Sequence, residues 1–330
     1  MNFVLLIIGL ALLIKGVDLF VGSASKLAGL LGVPLFIVGI SVVAFGTSAP
    51  EAAIGIFAGI KGANQITLGD VIGSSITNIT LILGLAAIIQ PIKVAAPVVK
   101  REIPISFFIQ TAFALMLFTG LILSRFESII LLVGFLVFII YLGLSSKELA
   151  AVQKAKDSDE QEARPDDDRK GSLADPIEKA ESKGKLVLLL LLGLAALVLG
   201  SNLTVDSAVA IAQTLGLSDR FIGLTIIALG TSLPELVTCL VAAFRKEEGI
   251  AVGNIIGSNI FNILFVMGLS SSLAPIVISP DVFLDIGFMI FTTVLLFIPS
   301  FLHKKISRLS GILFVGVYLL YMAYKIVGAV

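Results

Sequence analysis

Long apolar runs separated by short polar punctuation dominate the chain. A helix needs roughly 20 mainly apolar residues to cross a bilayer. Ten runs approach or exceed that length, at 3–25, 33–60, 68–90, 103–122, 127–146, 185–210, 219–244, 252–274, 282–301 and 309–328, each bounded by charges, Gly/Pro or clusters of Asn, Asp and Ser. The pattern predicts an all-α integral membrane protein with ten transmembrane helices. Between Lys147 and Lys185 the pattern lapses, and charged runs such as Asp166-Asp167-Asp168-Arg169-Lys170 replace apolar residues. This stretch reads as a solvated linker. Its aspartates lack the folded frame and spaced ligands of a calcium sensor. The chain thus divides into a first unit (1–146), a linker (147–184) and a second unit (185–330).

Composition sharpens the assignment. Of 330 residues 57% are apolar and 14% charged, with mean hydropathy +1.08, whereas soluble domains run about 45–50% apolar and about a quarter charged. The surplus faces the lipid bilayer. Balanced charge, 23 basic against 23 acidic residues, and a single His argue against nucleic acid as a partner and against a histidine-based metal site. Cys239 stands alone, which excludes a disulfide framework or thiolate cluster and suggests a small packed residue. The first charge, Lys15, follows the first apolar run instead of preceding it, so no cleaved signal peptide is expected. With the amino terminus outside, 18 of the 23 Lys and Arg fall on the inner side, leaving Lys61, Arg125, Arg220 and Lys325 outside and Lys15 within the first span. The positive-inside rule then places both termini outside and the central loop in the cytoplasm. A multi-pass protein of the cell membrane is expected.

The chain repeats itself at an offset of 184. Gly46-Thr47-Ser48-Ala49-Pro50-Glu51 aligns with Gly230-Thr231-Ser232-Leu233-Pro234-Glu235, and Gly69-Asp70-Val71-Ile72-Gly73-Ser74-Ser75-Ile76-Thr77-Asn78 with Gly253-Asn254-Ile255-Ile256-Gly257-Ser258-Asn259-Ile260-Phe261-Asn262. Gly16, Ser23, Gly32, Gly39, Gly84 and Pro91 also find their equivalents without a gap. Each unit holds five spans. An odd number of crossings makes the second unit enter from the opposite face, so the expected fold is two inverted five-helix repeats, an arrangement associated with alternating-access transporters.

Glu51 and Glu235 lie inside apolar runs, where an ionised side chain costs about 2.5–3.5 kcal/mol on insertion scales. No Lys or Arg occupies a matching core position, which leaves a bound cation, a proton or a water-filled cavity as partner. Each Glu follows a proline, whose missing N–H and bulky ring break the helix near Gly46 and Gly230. Loosened backbone is tolerated at membrane depth only where it is buried in protein or lines a cavity. The freed carbonyls, the hydroxyls of Thr47, Ser48, Thr231 and Ser232, and the two carboxylates therefore collect on one stretch of each span. Ser74 with Asn78, and Ser258 with Asn262, stand one turn apart on a shared helix face. Their oxygens can complete a cage, although Ser and Asn also serve simply to join helices. Hard oxygen ligands suit Ca²⁺, Na⁺ or similar cations and disfavour zinc, copper and iron. The Gly69/Gly73 and Gly253/Gly257 pairs suggest close helix contact. Asp70, whose equivalent is the neutral Asn254, suggests a helix cap or vestibule group. Asp18 and its equivalent Asn202 suggest hydrogen bonding between helices.

These paired motifs resemble the two alpha repeats of the sodium/calcium exchangers, within the cation/calcium antiporter superfamily. The resemblance covers both units and omits only the linker. It implies two inverted five-helix repeats and exchange of Ca²⁺ for Na⁺. Carried over by position, it implies central carboxylate ligands at Glu51 and Glu235, hydroxyl or backbone ligands at Thr47, Thr231, Ser48, Ser232, Ser74 and Ser258, and carbonyl ligands for sodium at Ala44 and Ala228. Some relatives carry Asp where Asn262 stands, whereas this chain has Asn at both equivalents, Asn78 and Asn262. The linker has no room for regulatory calcium-binding domains.

The expected activity is electrogenic exchange of three Na⁺ for one Ca²⁺, with no resident cofactor and with Ca²⁺ and Na⁺ as substrates. A Ca²⁺/H⁺ antiporter using the same glutamates is the alternative. A channel accords poorly with paired proline breaks in inverted repeats. An enzyme accords poorly with spans that carry no catalytic aspartate pair, Ser/His dyad or metal motif.

Overall fold

The computed structural model describes residues 2–62, 65–162, 182–215, 230–279 and 282–328. Helices come first in order: α1 (Asn2–Leu31), the bent pair α2 (Leu35–Thr47) and α3 (Ala49–Lys61), α4 (Gln65–Ile89), α5 (Val98–Phe118) and α6 (Arg125–Glu162). After the linker follow α7 (Lys183–Thr214), α8 (Leu233–Phe244), α9 (Glu248–Leu273), α10 (Val282–His303) and α11 (Arg308–Gly328). Among the described residues, eight helices are long and apolar enough to cross a membrane, or nine with α2 and α3 taken as one span bent by 47°. Each falls on a predicted run. The run 219–244 is described only in part, because residues 216–229 lie outside the described residues.

Several helices run past the hydropathy limits. Helix α1 continues to Leu31 and α7 to Thr214, since a polar residue ends an apolar run without ending a helix. At 1.5 Å per residue the 30 residues of α1 extend about 45 Å, which exceeds a hydrocarbon slab of about 30 Å and calls for tilt. Helix α6 runs beyond the apolar run through Lys147 to Glu162. The first part of the expected linker is therefore helical, in keeping with its Ala, Glu, Lys and Gln content.

Four short strands, which hydropathy does not reveal, join the two units. Strand β1 (Ile92–Lys93) pairs antiparallel with β4 (Lys305–Ile306), and β2 (Ile122–Leu123) with β3 (Ile276–Val277). Ile92 faces Ile306, and Leu123 faces Ile276. The second pairing thus repeats the first with the units exchanged. Left-handed backbone recurs in the same way, at Leu121 (φ 52°) and Lys304 (φ 50°), and at Gly62 (φ 68°) and Lys246 (φ 60°). Arg125 donates to the carbonyl of Leu273 while Arg308 donates to that of Ile89, again one unit closing the other. Two carboxylates, buried Glu102 and half-buried Asp285, clamp the outer helices. Tyr141 donates to Glu102 (2.8 Å), and Tyr321 donates to Asp285 (2.9 Å), which Lys325 also meets at 2.8 Å.

The centre belongs to α4 and α9, whose apolar windows are 72% and 94% buried, against 17% for α11. Cys239 packs there, fully buried on α8. Against one side lies an antiparallel pair, α1 and α7, in backbone contact. A Cβ at Gly16 would sit 2.5 Å from the Leu197 nitrogen, and one at Gly200 2.4 Å from the Leu13 nitrogen. Neither space admits a side chain, so the two helices approach as only glycine permits. Asp18 does bond between helices, to a charged partner at a helix end: it forms an ion pair with Arg245, which caps α8, while Ser25 donates to Glu247 at 2.7 Å.

Gly200→Ala is expected to lower the melting temperature of the detergent-solubilised protein by several degrees, because the added methyl meets backbone that cannot yield. Gly287→Ala, where a Cβ meets nothing within 4 Å among the described residues, is expected to leave it unchanged or raised. Fluorescence-monitored thermal unfolding reads both.

Candidate cation site

Both G-T-S-x-P-E elements start a helix from the same residue. Ser48 leaves helical geometry at φ −86°, ψ 11°, and Ser232 does so at φ −86°, ψ 5°. Proline follows in the first turn of α3 and of α8, where its missing N–H costs nothing, and the glutamate comes next. Glu51 and Glu235 therefore project from helix N-termini, whose positive dipole ends favour a carboxylate. The break at Gly230 is partly satisfied by Ser201 of α7, which donates to its carbonyl at 3.5 Å.

Both glutamates are 1% exposed. Ser48 donates to Glu235 Oε1 at 3.0 Å and Ser258 does so at 3.4 Å, whereas Glu235 Oε2 and both oxygens of Glu51 have no hydrogen-bond partner. Glu51 lies within electrostatic reach of Glu235 and of Asp70. Among the described residues the ion pairs are Arg101–Glu148, Arg245–Asp18 and Lys325–Asp285, and none involves these glutamates. An unpartnered buried carboxylate is among the costliest arrangements a fold can hold.

The surrounding oxygens belong to both units. Thr47 donates to Asn254 Oδ1 (3.0 Å) and lies 3.4 Å from the Ser258 hydroxyl. Asn262 donates to Ser74 Oγ at 3.3 Å, and Asn78 donates to Asn259 Oδ1 at 2.9 Å. The amides thereby spend their N–H groups on neighbours, and the side-chain oxygens of Asn78 and Asn262 are left buried and unpartnered, as is Ser232 Oγ. Most of the unpartnered buried polar atoms lie on these motifs, and almost all of them are oxygen. Such a set offers lone pairs with too few donors, which is the requirement for holding a hard cation. Three or more His, Cys, Asp or Glu do not converge on one point among the described residues, so two carboxylates and neutral oxygens make up the set.

Several expectations change. Asp70 is not a cap. It sits within α4, where Thr231 donates to its Oδ1 at 3.3 Å and its Oδ2 is buried without a partner. Thr231 thus turns toward Asp70, as Thr47 turns toward Asn254. The Ala44 carbonyl accepts the Ser48 N–H at 3.0 Å and the Thr47 hydroxyl at 3.3 Å. Ala228 lies outside the described residues. Gly253 and Gly257 do pack closely on α2, at Phe36, Ile40 and Ala44. Gly69 and Gly73 have no such neighbour among the described residues, the equivalents of Gly39–Ala44 being residues 223–228, which fall outside them. Asn254 and Asn259 were not singled out as site residues. Asn259 occupies the position of Ser75 in the repeat, one residue after the matched serine, and that mismatch was the available signal.

Wider π-helical turns begin at Asn78 (Asn78–Ile82) and at Asn262 (Asn262–Met267). A π-turn inserts a residue and redirects the following side chains, and such turns gather at functional sites.

The family described as sodium/calcium exchanger protein matches residues 1–144 and 185–327, both units without the linker. The sodium/calcium exchanger MaX1 of Methanosarcina acetivorans is 34% identical over 97% of this chain and 97% of its own. The putative antiporter CaxA of Alkalimonas amylolytica is 36% identical over 94% and 92%. Structures of the sodium-calcium exchanger NCX_Mj superpose with a TM-score of 0.81 at 33% identity, covering 98% of each chain. With that agreement in sequence and in fold over both units, the chain is a multi-pass integral membrane protein that belongs to the sodium/calcium exchanger family.

Proposed function

We propose that the protein is a secondary antiporter that exchanges cytoplasmic Ca²⁺ for external Na⁺ by alternating access. The observation that carries the reading is the pair of buried glutamates ringed by unpartnered oxygens, with no cationic side chain paired to them among the described residues. Two ionised glutamates balance one Ca²⁺. Thr47, Thr231, Ser48, Ser232, Ser74, Ser258, Asn78 and Asn262 supply neutral oxygens around it, and the Ala44 and Ala228 carbonyls serve flanking Na⁺ ions. Ca²⁺ and Na⁺ cannot occupy the same oxygens together, and that exclusion couples their fluxes.

The proposed architecture is ten spans in two inverted five-helix repeats, 1–146 and 185–330, joined by the linker 147–184. The antiparallel contact of α1 with α7 and the exchanged strand pairings support it. Both termini lie outside the cell membrane and the linker in the cytoplasm, supported by the excess of Lys and Arg on one side.

Energetics favour three Na⁺ per Ca²⁺. Against an inward calcium gradient of about 10⁴ and about 100 mV, expelling one Ca²⁺ costs about 10 kcal/mol. Each Na⁺ entering down an approximately tenfold gradient returns about 3.7 kcal/mol. Two ions return about 7.4 kcal/mol, which is insufficient, and three return about 11 kcal/mol. One net positive charge then enters per cycle.

In vesicles containing the purified protein, an opposing sodium gradient is expected to drive ⁴⁵Ca²⁺ uptake, with a current whose sign follows sodium. Equal uptake with and without sodium refutes the assignment, and sodium-free uptake driven by a pH step replaces it with Ca²⁺/H⁺ exchange. Glu51→Gln and Glu235→Gln are each expected to abolish uptake and the rise in melting temperature that Ca²⁺ gives the wild type. Because Gln relieves a buried charge, each variant is expected to melt no lower than the wild type in ion-free buffer. A Ca²⁺-induced shift of wild-type size in either variant removes that glutamate from the site.

A further inference from the structure

The two halves of the site are not equally charged. Asp70 and Asn254 occupy equivalent positions, and each receives the hydroxyl proton of the threonine from the opposite unit, Thr231 on Asp70 and Thr47 on Asn254. Thr47 turns the same proton toward the Ala44 carbonyl as well, 3.3 Å away, so its lone pairs, like those of Thr231, stay open to a cation. The atoms left over differ in kind. Asp70 keeps a buried carboxylate oxygen without a partner, whereas Asn254 keeps a buried, unpartnered N–H₂. One end of the site thus adds an anion beside Thr231, and the other adds a donor that disfavours a cation.

Charge arithmetic gives the difference a role. Glu51 and Glu235 together neutralise one Ca²⁺ but leave three Na⁺ with one uncompensated positive charge. Neither Asn78 nor Asn262 supplies a third anion. Asp70 lies within electrostatic reach of Glu51, yet it does not join the two glutamates on a single ion. We propose that Asp70 is the third charge-balancing residue of the exchanger, a specificity determinant that makes the Thr231 side a sodium seat and selects for the triply monovalent load over the single divalent one.

This inference rests on the exchange reading above, and its test separates the two. Purified protein is loaded with ⁴⁵Ca²⁺ and titrated with NaCl. For Asp70→Asn, the sodium concentration that displaces half the calcium is expected to rise about tenfold, the scale of one charge acting across a few ångströms of protein. Calcium affinity in the absence of sodium is expected to move less than about threefold. The exchanged double variant D70N/N254D returns the third carboxylate to the equivalent position and is expected to recover most of the lost sodium affinity. A merely structural role for Asp70 predicts no such recovery, and melting in ion-free buffer verifies that both variants fold. Unchanged sodium displacement in D70N, parallel loss of sodium and calcium affinity, or a folded double variant that recovers nothing each overturns the proposal. Failure of sodium to displace calcium from the wild type instead overturns the exchange reading itself.

Discussion

A carboxylate buried in a membrane-spanning core without a counter-charge is the constraint from which the other features follow. Among the described residues Glu51 has neither oxygen partnered, and Glu235 has one oxygen that accepts from the Ser48 and Ser258 hydroxyls. A fold can keep such groups only if something outside the chain completes them or if the backbone itself offers compensation. The second condition is met in part. Breaking the helix at Ser48 and Ser232 turns a mid-span position into a helix start, and a dipole end then faces each acid. The proline that causes the break also sits where a first-turn residue needs no N–H.

Breaks of this kind must be enclosed. Helices α4 and α9 supply the enclosure, being the most buried of the spanning helices, and they bring the serine and asparagine oxygens of both units toward the breaks. Close packing makes that approach possible. Gly253 and Gly257 bring α9 against α2 at distances where any Cβ would meet backbone. The result is a set of acceptors whose donors have been used elsewhere, the N–H groups of Asn78 on Asn259 and of Asn262 on Ser74, and the threonine hydroxyls on Asp70 and Asn254. Polar side chains that bond one another in a membrane usually join helices. Here those bonds also leave oxygen lone pairs without protons.

Duplication made much of this legible in the sequence. The offset of 184 marks both breaks, both glutamates and the Ser/Asn faces in the sequence itself, because a repeated motif marks a repeated backbone requirement. Hydropathy placed the spans, since lipid imposes a length and a polarity on each. What it missed has a common physical origin. The strand pairs at Ile92–Lys93 and Ile122–Leu123 form only when the partner unit is present, and two residues carry no periodicity of their own. The continuation of α6 to Glu162 depends on helix propensity, which an apolar window does not sense. The bonds of Asp70 with Thr231 and of Asn78 with Asn259 cross between units, so residue spacing within one helix could not disclose them.

Even within the matched motifs the repeats depart from each other at polar positions. Asp70 answers to Asn254, and Ser75 to Asn259, while the residues that set the backbone, Gly46, Pro50, Gly73 and their equivalents, are identical in both units. In the proposed exchange, symmetry of the backbone would let a single cluster face either side of the membrane in turn. Complete symmetry of the side chains would give two equal halves, suited to one kind of ion. A site that must accept one divalent ion on one stroke and several monovalent ions on the other needs positions that are geometrically equivalent and electrostatically distinct. The pair formed by Asp70 and Asn254 meets that description: the same place in the fold, the same threonine partner, and one negative charge of difference.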